Sequence, residues 1–426
     1  MNVLAIAYAC NPYQGSEEGV GWGWVREIAK RHSVHIITAE YQRQPLELYA
    51  KDHPEFFKNI VFHFVAPKPW HYRPSRFWKR VDALSLTPLV NFAYMDWQRH
   101  AYRLACRLHA RFAFDLVHLI TYVGFRFPGR FWQKDIPLVW GPLGGLENVP
   151  WRFLPMLGWK GCLHQAAWNT VNSLQKRFLP GPRRAFKKAA GGIIAATDGI
   201  RREILRWYAQ ESQVICEIGT PPVISDQVQC RRPEEPLKLV WSGLHLPRKA
   251  LPLLLEALAE VSPALPWQLT VLGQGPCTRT WQRRAEALGV GDRCQWTGWL
   301  PRDQSLMKMQ EAHVMVITSL KDLTSTVLIE ALAQGLPVIC PDLCGFPDVV
   351  TAECGIKIPV VDRKQFRGDL AAAIEQLAQN ESQRQLMAAG ALRRVRDFSW
   401  ENKGESVDRI YRHVLESVPP ESRRPC

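Results

Sequence analysis

Short apolar runs alternate with helical spacings along most of the chain. Residues 2–8 are an apolar run, followed by the turn-rich CNPYQGSEEGVGWG. Residues 22–32 then have helical spacing and 34–38 are apolar again, so strand, Gly-rich loop, helix and strand open a βαβ unit. Residues 60–65, 116–120, 138–140 and 192–196 continue as strand candidates, and right-handed connections would join them in one parallel sheet. A second series starts at Leu237: LKLVWSG, a helix over 251–261, QLTVLGQG, a helix near Arg283, RCQWTGWL, VMVITS, a helix over 325–334, and LPVICP. Between the two series, residues 216–236 hold PP and RRPEEP and read as a linker. The tail SWENKGESVDRIYRHVL predicts an amphipathic helix capped by Ser399. The chain thus divides into 1–215, 216–395 and a tail, 396–426, that returns towards the first domain. Two doubly wound α/β domains bind ligands at their C-terminal strand edges, so two that face each other place the chemistry in the cleft between them.

Two stretches break this rhythm. Residues 68–108 and 151–188 are rich in aromatic and basic residues and read as helical insertions. The length, 426 residues, suits two domains of roughly 200 residues, and 46% hydrophobic content is enough for two cores. The net charge of +14 is lopsided: residues 1–220 hold 29 Lys and Arg against 16 Asp and Glu, the remainder 25 against 24. Residues 68–188 alone hold 20 against 5. Rings interleaved with cations suit an anionic membrane surface. A single-stranded nucleic-acid groove has the same composition, and buried tryptophans under a soluble face are the plain alternative. The reading taken is a membrane surface, without a nucleic-acid partner.

The eleven cysteines are scattered, with no zinc-ligand spacing, which fits a reducing compartment and a cytoplasmic location. The apolar N-terminus lacks a basic region and a cleavage site, and reads as a buried strand. No run of about 18 apolar residues is long enough to span a bilayer.

The segment VMVITSLKDLTSTVLIEALAQGLPVICPDLCGFPDVV is strand, polar loop, helix, glycine stop, strand and Gly/Pro loop. Thr324, Ser325 and Thr326 sit at the helix start, where free N–H groups and the helix dipole favour a diphosphate. Glu330, one to two turns on, has a carboxylate suited to ribose hydroxyls, and Asp322 precedes the helix. A capped helix with solvated acids would look the same in isolation.

The surroundings decide. The segment resembles the signature of glycosyltransferase family 4, retaining enzymes of the GT-B fold with two Rossmann-like domains. That signature is E-x7-E across a helix start, then A-x-G-x-P-V-I. The resemblance implies that Glu330 holds the ribose and that Asp322, where the family usually has Glu, contacts the donor sugar. Leu323, Thr324 and Ser325 replace the glycines that usually follow. WSGLHLPRKALPLLLEAL, with Gly243, resembles the family's phosphate motif. It implies that Lys249 neutralises the diphosphate; Leu244 stands at the usual arginine, with Arg248 or His245 as stand-ins. Gly273 and Gly275 permit close backbone approach, and Gly298, Trp299 and Leu300 stand where the family holds the base.

In the first half, Gly15, Gly19 and Gly21 suit approach to a phosphate or the acceptor, with Glu17 and Glu18 as polar contacts. His118 ends a strand and is expected to face the cleft and act in catalysis with Lys249 and Asp322; Thr121, Gly124 and Arg126 are weaker candidates. WGPLGG is expected to shape the acceptor channel. No DxD motif is present, so Lys249 and helix N-termini are expected to do what a metal does elsewhere, with no metal ion and no cofactor besides a UDP- or GDP-sugar donor. The implied function is transfer of a sugar from that donor to a glycan acceptor, expected to be lipid-linked, at the inner face of the cell membrane. A sugar-nucleotide epimerase or a non-catalytic membrane-bound protein of this fold are the rival readings.

Overall fold

The computed structural model describes residues 1–66, 87–122, 124–221, 225 and 227–417. Its strands sort into two sheets in which every recorded pairing is parallel. The first has the order β3-β2-β1-β4-β5-β6-β7, made by β1 (Asn2–Ile6), β2 (Ser33–Ala39), β3 (Ile60–Val65), β4 (Leu116–Leu119), β5 (Leu138–Leu143), β6 (Ile193–Ala195) and β7 (Gln213–Val214). The second has the order β10-β9-β8-β11-β12-β13, made by β8 (Leu237–Ser242), β9 (Trp267–Leu272), β10 (Cys294–Gly298), β11 (Val314–Val316), β12 (Val338–Pro341) and β13 (Gly355–Ile358). In each, the order reverses beside the first strand of the series, which is where a doubly wound sheet opens a crevice. The two-residue β7 and the four-residue β13 were not among the strand candidates. Both are short edge strands, too brief for a periodic signal.

The insertions are helical where described: Thr87–Phe112 in the first, and Trp151–Leu157, Gly158–Phe178 and Pro180–Lys188 in the second. Residues 67–86 of the first insertion lie outside the described residues. Residues 149–154 cross to the other domain. Val149, Phe153 and Leu154 pack in one core with Leu237, Trp241 and Phe366, and the Phe153 and Phe366 rings meet edge to face at 6.1 Å. A boundary drawn by chain order therefore does not coincide with the boundary of packing.

The 216–236 connection is pinned along its path. Thr220 N–H donates to Phe398 O at 3.0 Å, its hydroxyl donates to Val395 O at 2.7 Å, and Ser225 N–H donates to Ala333 O at 2.7 Å. The helix Trp400–Glu416, whose Asn402 N–H donates to the Ser399 hydroxyl, returns to lie on Ser16–Ala29. Its Trp400 ring occupies the space that side chains at Gly23 and Gly219 would take, with ring atoms 2.2 and 2.3 Å from their Cβ positions. Lys403 Nζ donates to Cys216 O at 2.8 Å. The tail thus clamps the first domain to the connection.

Candidate functional site

The C-terminal ends of β8, β9, β10 and β11 carry the site. After β8, the turn Pro247–Lys249 is stitched to the loop after β11. Leu320 N–H donates to Arg248 O at 2.8 Å, and the Thr318 hydroxyl donates to Lys249 O at 2.8 Å while accepting from Trp241 Nε1 at 3.0 Å. This anchoring aims the Lys249 side chain past Gly243, where an added Cβ would stand 3.8 Å from the lysine stem, on to the Asp322 carboxylate, with which it forms an ion pair. Arg248 Nη1 stands 3.8 Å from the same carboxylate and donates to Lys321 O at 2.8 Å. Asp322 is thereby held between two cations.

Arg248, not His245, is the cation beside Asp322. The His245 ring bonds Thr278 Oγ1 at 2.8 Å and packs on Trp241, Trp281 and Trp296. Burial lowers its pKa to about 4, so it is neutral. Leu244 is exposed.

Glu330 lies inside the helix Thr326–Ala333 with only 7% of its surface exposed. Burial raises its pKa, while Arg302, whose Nε donates to Oε1 at 2.8 Å, works against that rise. The loop before the helix corrects two expectations. Thr324 is not free to meet a phosphate: its N–H and hydroxyl donate to the two oxygens of buried Glu217 at 3.0 and 2.9 Å. Ser325 makes no side-chain cap among the described residues; its φ of +74° is where a side chain is strained and glycine is preferred, and glycine is what the family resemblance places in this loop.

Some of the expected residues line three separate depressions, whereas Lys249 and Glu330 line none of them. Gly273, Gly275 and Gly298 line one at the ends of β9 and β10. Gly273, with φ of +105°, lies so close to Gly243 that a Cβ there would stand 2.2 Å from Gly243 O, so only glycine fits. Trp299 is 66% exposed, and Leu300 packs at the edge of the core; neither lines this depression. Gly15, Thr326 and Arg302 line a second cleft of about 390 Å³, between the domains, with Tyr13 and Gln14. Asp322 and Arg248 line a third, of about 530 Å³, against the helix Gly158–Phe178.

In the first domain, Gly15 caps Ser16–Ala29 and its Cβ position is open. Gly19, which lines the same cleft as Gly15, and Gly21 also serve packing: side chains there would meet Gln14 O at 2.4 Å and Ala9 O at 1.9 Å. The Glu17 carboxylate accepts from Tyr122 N–H, and Glu18 from Gln42 Nε2 at 3.2 Å, so both acids brace the loop.

The structure does not bring His118 into the cleft, where it was expected to act. It is wholly buried, and both ring nitrogens are used, by the Tyr411 hydroxyl at 2.7 Å and Gly141 O at 2.9 Å. A carbonyl only accepts, so Nε2 carries the proton and Nδ1 accepts from Tyr411; burial lowers the ring's pKa to about 4. A strand end that looks open in sequence is covered by the returning tail helix.

Arg302 and Glu217 escaped the sequence reading. Arg302 was legible in principle as the first cation after the β10 motif, whereas Glu217 is a lone acid in the connection with no local signal.

The family model for glycosyl transferases group 1 matches residues 223–394, less than half of the chain, a span that includes Lys249, Gly273, Asp322 and Glu330. Among curated proteins, the chain is 28% identical over 256 residues to the D-inositol 3-phosphate glycosyltransferase of Kribbella flavida, covering 55% of this chain and 59% of that one. It is 29% identical to the phosphatidyl-myo-inositol mannosyltransferase of Mycobacterium leprae, over 58% and 66% of the two chains. It is 28% identical to the lipopolysaccharide core biosynthesis glycosyltransferase LpsD of Rhizobium meliloti, over 63% and 82%. The match thus spans less than two thirds of the first two relatives. Among solved structures, the sucrose-phosphate synthase of Thermosynechococcus elongatus superposes with a TM-score of 0.63 at 16% identity, and the lipopolysaccharide outer core galactosyltransferase WaaB with 0.62 at 14%; each match covers 98% of this chain and 100% of the other. The fold is GT-B.

Proposed function

We propose that this chain is a glycosyltransferase that moves a sugar from a nucleotide-sugar donor, a UDP- or GDP-sugar, to a glycan acceptor in polysaccharide or glycolipid biosynthesis. The observation that carries the reading is the Lys249–Asp322 pair held at the end of β8 beside the helix that bears buried Glu330. Relatives named for inositol phosphate, phosphatidylinositol and lipopolysaccharide core biosynthesis support the glycan or glycolipid class, and Anabaena HepE, solved with UDP and with UDP-glucose, supports the nucleotide-sugar donor.

In this reading Glu330 holds the ribose and Asp322 the donor sugar. Lys249 takes up charge that develops on the diphosphate as the bond from sugar to phosphate oxygen breaks. The acceptor hydroxyl forms the new bond on the same face, with retention, and its proton passes to the leaving phosphate.

The acceptor is lipid-linked in this proposal, and the protein works at the inner face of the cell membrane. No helix among the described residues is long and apolar enough to cross a bilayer. Support comes from the helix Gly158–Phe178, whose outer stripe exposes Trp159, Leu163, Val171, Leu174 and Phe178, the first and last by 72% and 67%. Such a stripe, beside basic residues, suits an interfacial surface.

The donor site is tested by calorimetric titration of the full chain with UDP, GDP and their sugars. One nucleotide is expected to bind, with binding lost in Glu330→Ala; wild-type affinity in that variant would sink the assignment. Flotation with anionic vesicles tests the surface: Leu163→Glu with Leu174→Glu should release the protein, and unchanged flotation would refute it.

A further inference from the structure

We infer that the cleft between the helix Gly158–Phe178 and the loop that carries Asp322 is built for an anionic group, a phosphate or carboxylate, on the acceptor, with Lys321 and Arg248 as its ligands and Arg126, against Trp168, adding positive charge beside them. The word acceptor rests on the proposed transfer reaction; the anion site itself rests on the cleft.

Its walls come from both domains. Gly145, His164 and Trp168 form one side, and Arg248, Lys321 and Asp322 the other, around about 530 Å³. Asp322, the donor-sugar acid of the proposal, marks the reacting end, so the rest of this cleft lies where an acceptor must enter.

The charges in it do not balance. Lys321 has no hydrogen bond or ion pair from its ammonium among the described residues. Burial, then Arg126 and Arg248, lower its pKa to about 8. The Arg126 guanidinium lies over the Trp168 ring, 5.6 Å from its centre, and its hydrogen bonds go to the neutral side-chain amides Gln175, at 2.5 Å, and Asn172. It is thus fixed in place with its charge uncompensated. Arg248 is bound to a carbonyl and stands 3.8 Å from Asp322, which is already paired with Lys249. The other acid nearby, Glu147, is buried close to Asp348 and Glu203, and its pKa is raised to about 7. The four cations Lys249, Arg248, Lys321 and Arg126 therefore outnumber the two acids beside them, Asp322 and Glu147. Desolvated cations without counter-charge are unfavourable, and Arg and Lys gathered in a cleft suit recognition of phosphate or carboxylate.

The donor's own diphosphate is the competing source of negative charge, and the test separates the two. The full chain is saturated with UDP or GDP, whichever it binds more tightly, and inorganic phosphate is titrated in by calorimetry. One phosphate is expected to bind, about equally in Lys321→Arg and about tenfold more weakly in Lys321→Gln, while nucleotide affinity stays unchanged. Lys321→Gln should melt no lower than the wild type, because it removes an uncompensated charge. The proposal is overturned if phosphate fails to bind the nucleotide-saturated chain, if Lys321→Gln binds it as well as the wild type, or if that variant loses nucleotide instead. If neither UDP nor GDP binds, the transferase reading fails separately, and phosphate titrated into the chain alone still decides the anion site.

Discussion

Replacing Tyr411 by Phe tests whether His118 is a structural or a catalytic residue. The Tyr411 hydroxyl donates to His118 Nδ1 at 2.7 Å, with both residues fully buried. Phe keeps the ring and its edge-to-face contact with the imidazole, 5.7 Å between centres, so no cavity opens. What remains is a buried acceptor with no donor, which costs about 1–3 kcal/mol. For a domain of roughly 200 residues that lowers the melting temperature by about 2–4 °C per kcal/mol. The assay pairs thermal and urea unfolding, followed by tryptophan fluorescence, with donor binding and sugar transfer at 10 °C, where the variant stays folded. The expectation is a loss of stability with transfer per folded molecule unchanged. If stability holds and transfer collapses, His118 acts in the chemistry and the structural assignment is wrong. His118→Ala, which also vacates ring volume and orphans Gly141 O, should cost more, about 3–5 kcal/mol.

Ser325→Gly should relieve the +74° backbone strain and raise stability by up to about 1 kcal/mol with donor affinity retained; a lower melting temperature would count against the strain. Gly273→Ala drives a Cβ to 2.2 Å from Gly243 O, so nucleotide binding by calorimetry should weaken at least roughly tenfold, and wild-type binding would refute the close packing. Stability should also fall on acidification. His118, His245 and His313 are held neutral with pKa values lowered to about 4 by burial, so their contribution is full above about 6.5 and is lost as the pH falls from there towards 4, by up to about 1.4 kcal/mol per pH unit each. Glu147, raised to about 7, works in the opposite direction over part of that range. Urea midpoints measured between pH 7.5 and 4.5 check this, and a flat profile would contradict it.

The sequence by itself determined the two parallel sheets, because buried parallel strands must be short apolar runs and each helix between them must carry one apolar face. It also marked Lys249, Gly273, Asp322 and Glu330 as donor-side candidates, from motifs that are local in the chain, and the fold pairs Lys249 with Asp322. Tertiary structure decided what covers what. His118 has the same strand-end setting in sequence whether it faces a cleft or a helix, and only the returning tail, 293 residues away, supplies Tyr411. Thr324 looked like a free donor until Glu217, 107 residues earlier, took both of its hydrogen bonds. Arg126 and Lys321 lie almost 200 residues apart in the chain, and the repulsion between their charges exists only once the two domains meet. Periodicity and motif report on neighbours along the chain, whereas burial, pKa and charge balance depend on neighbours in space.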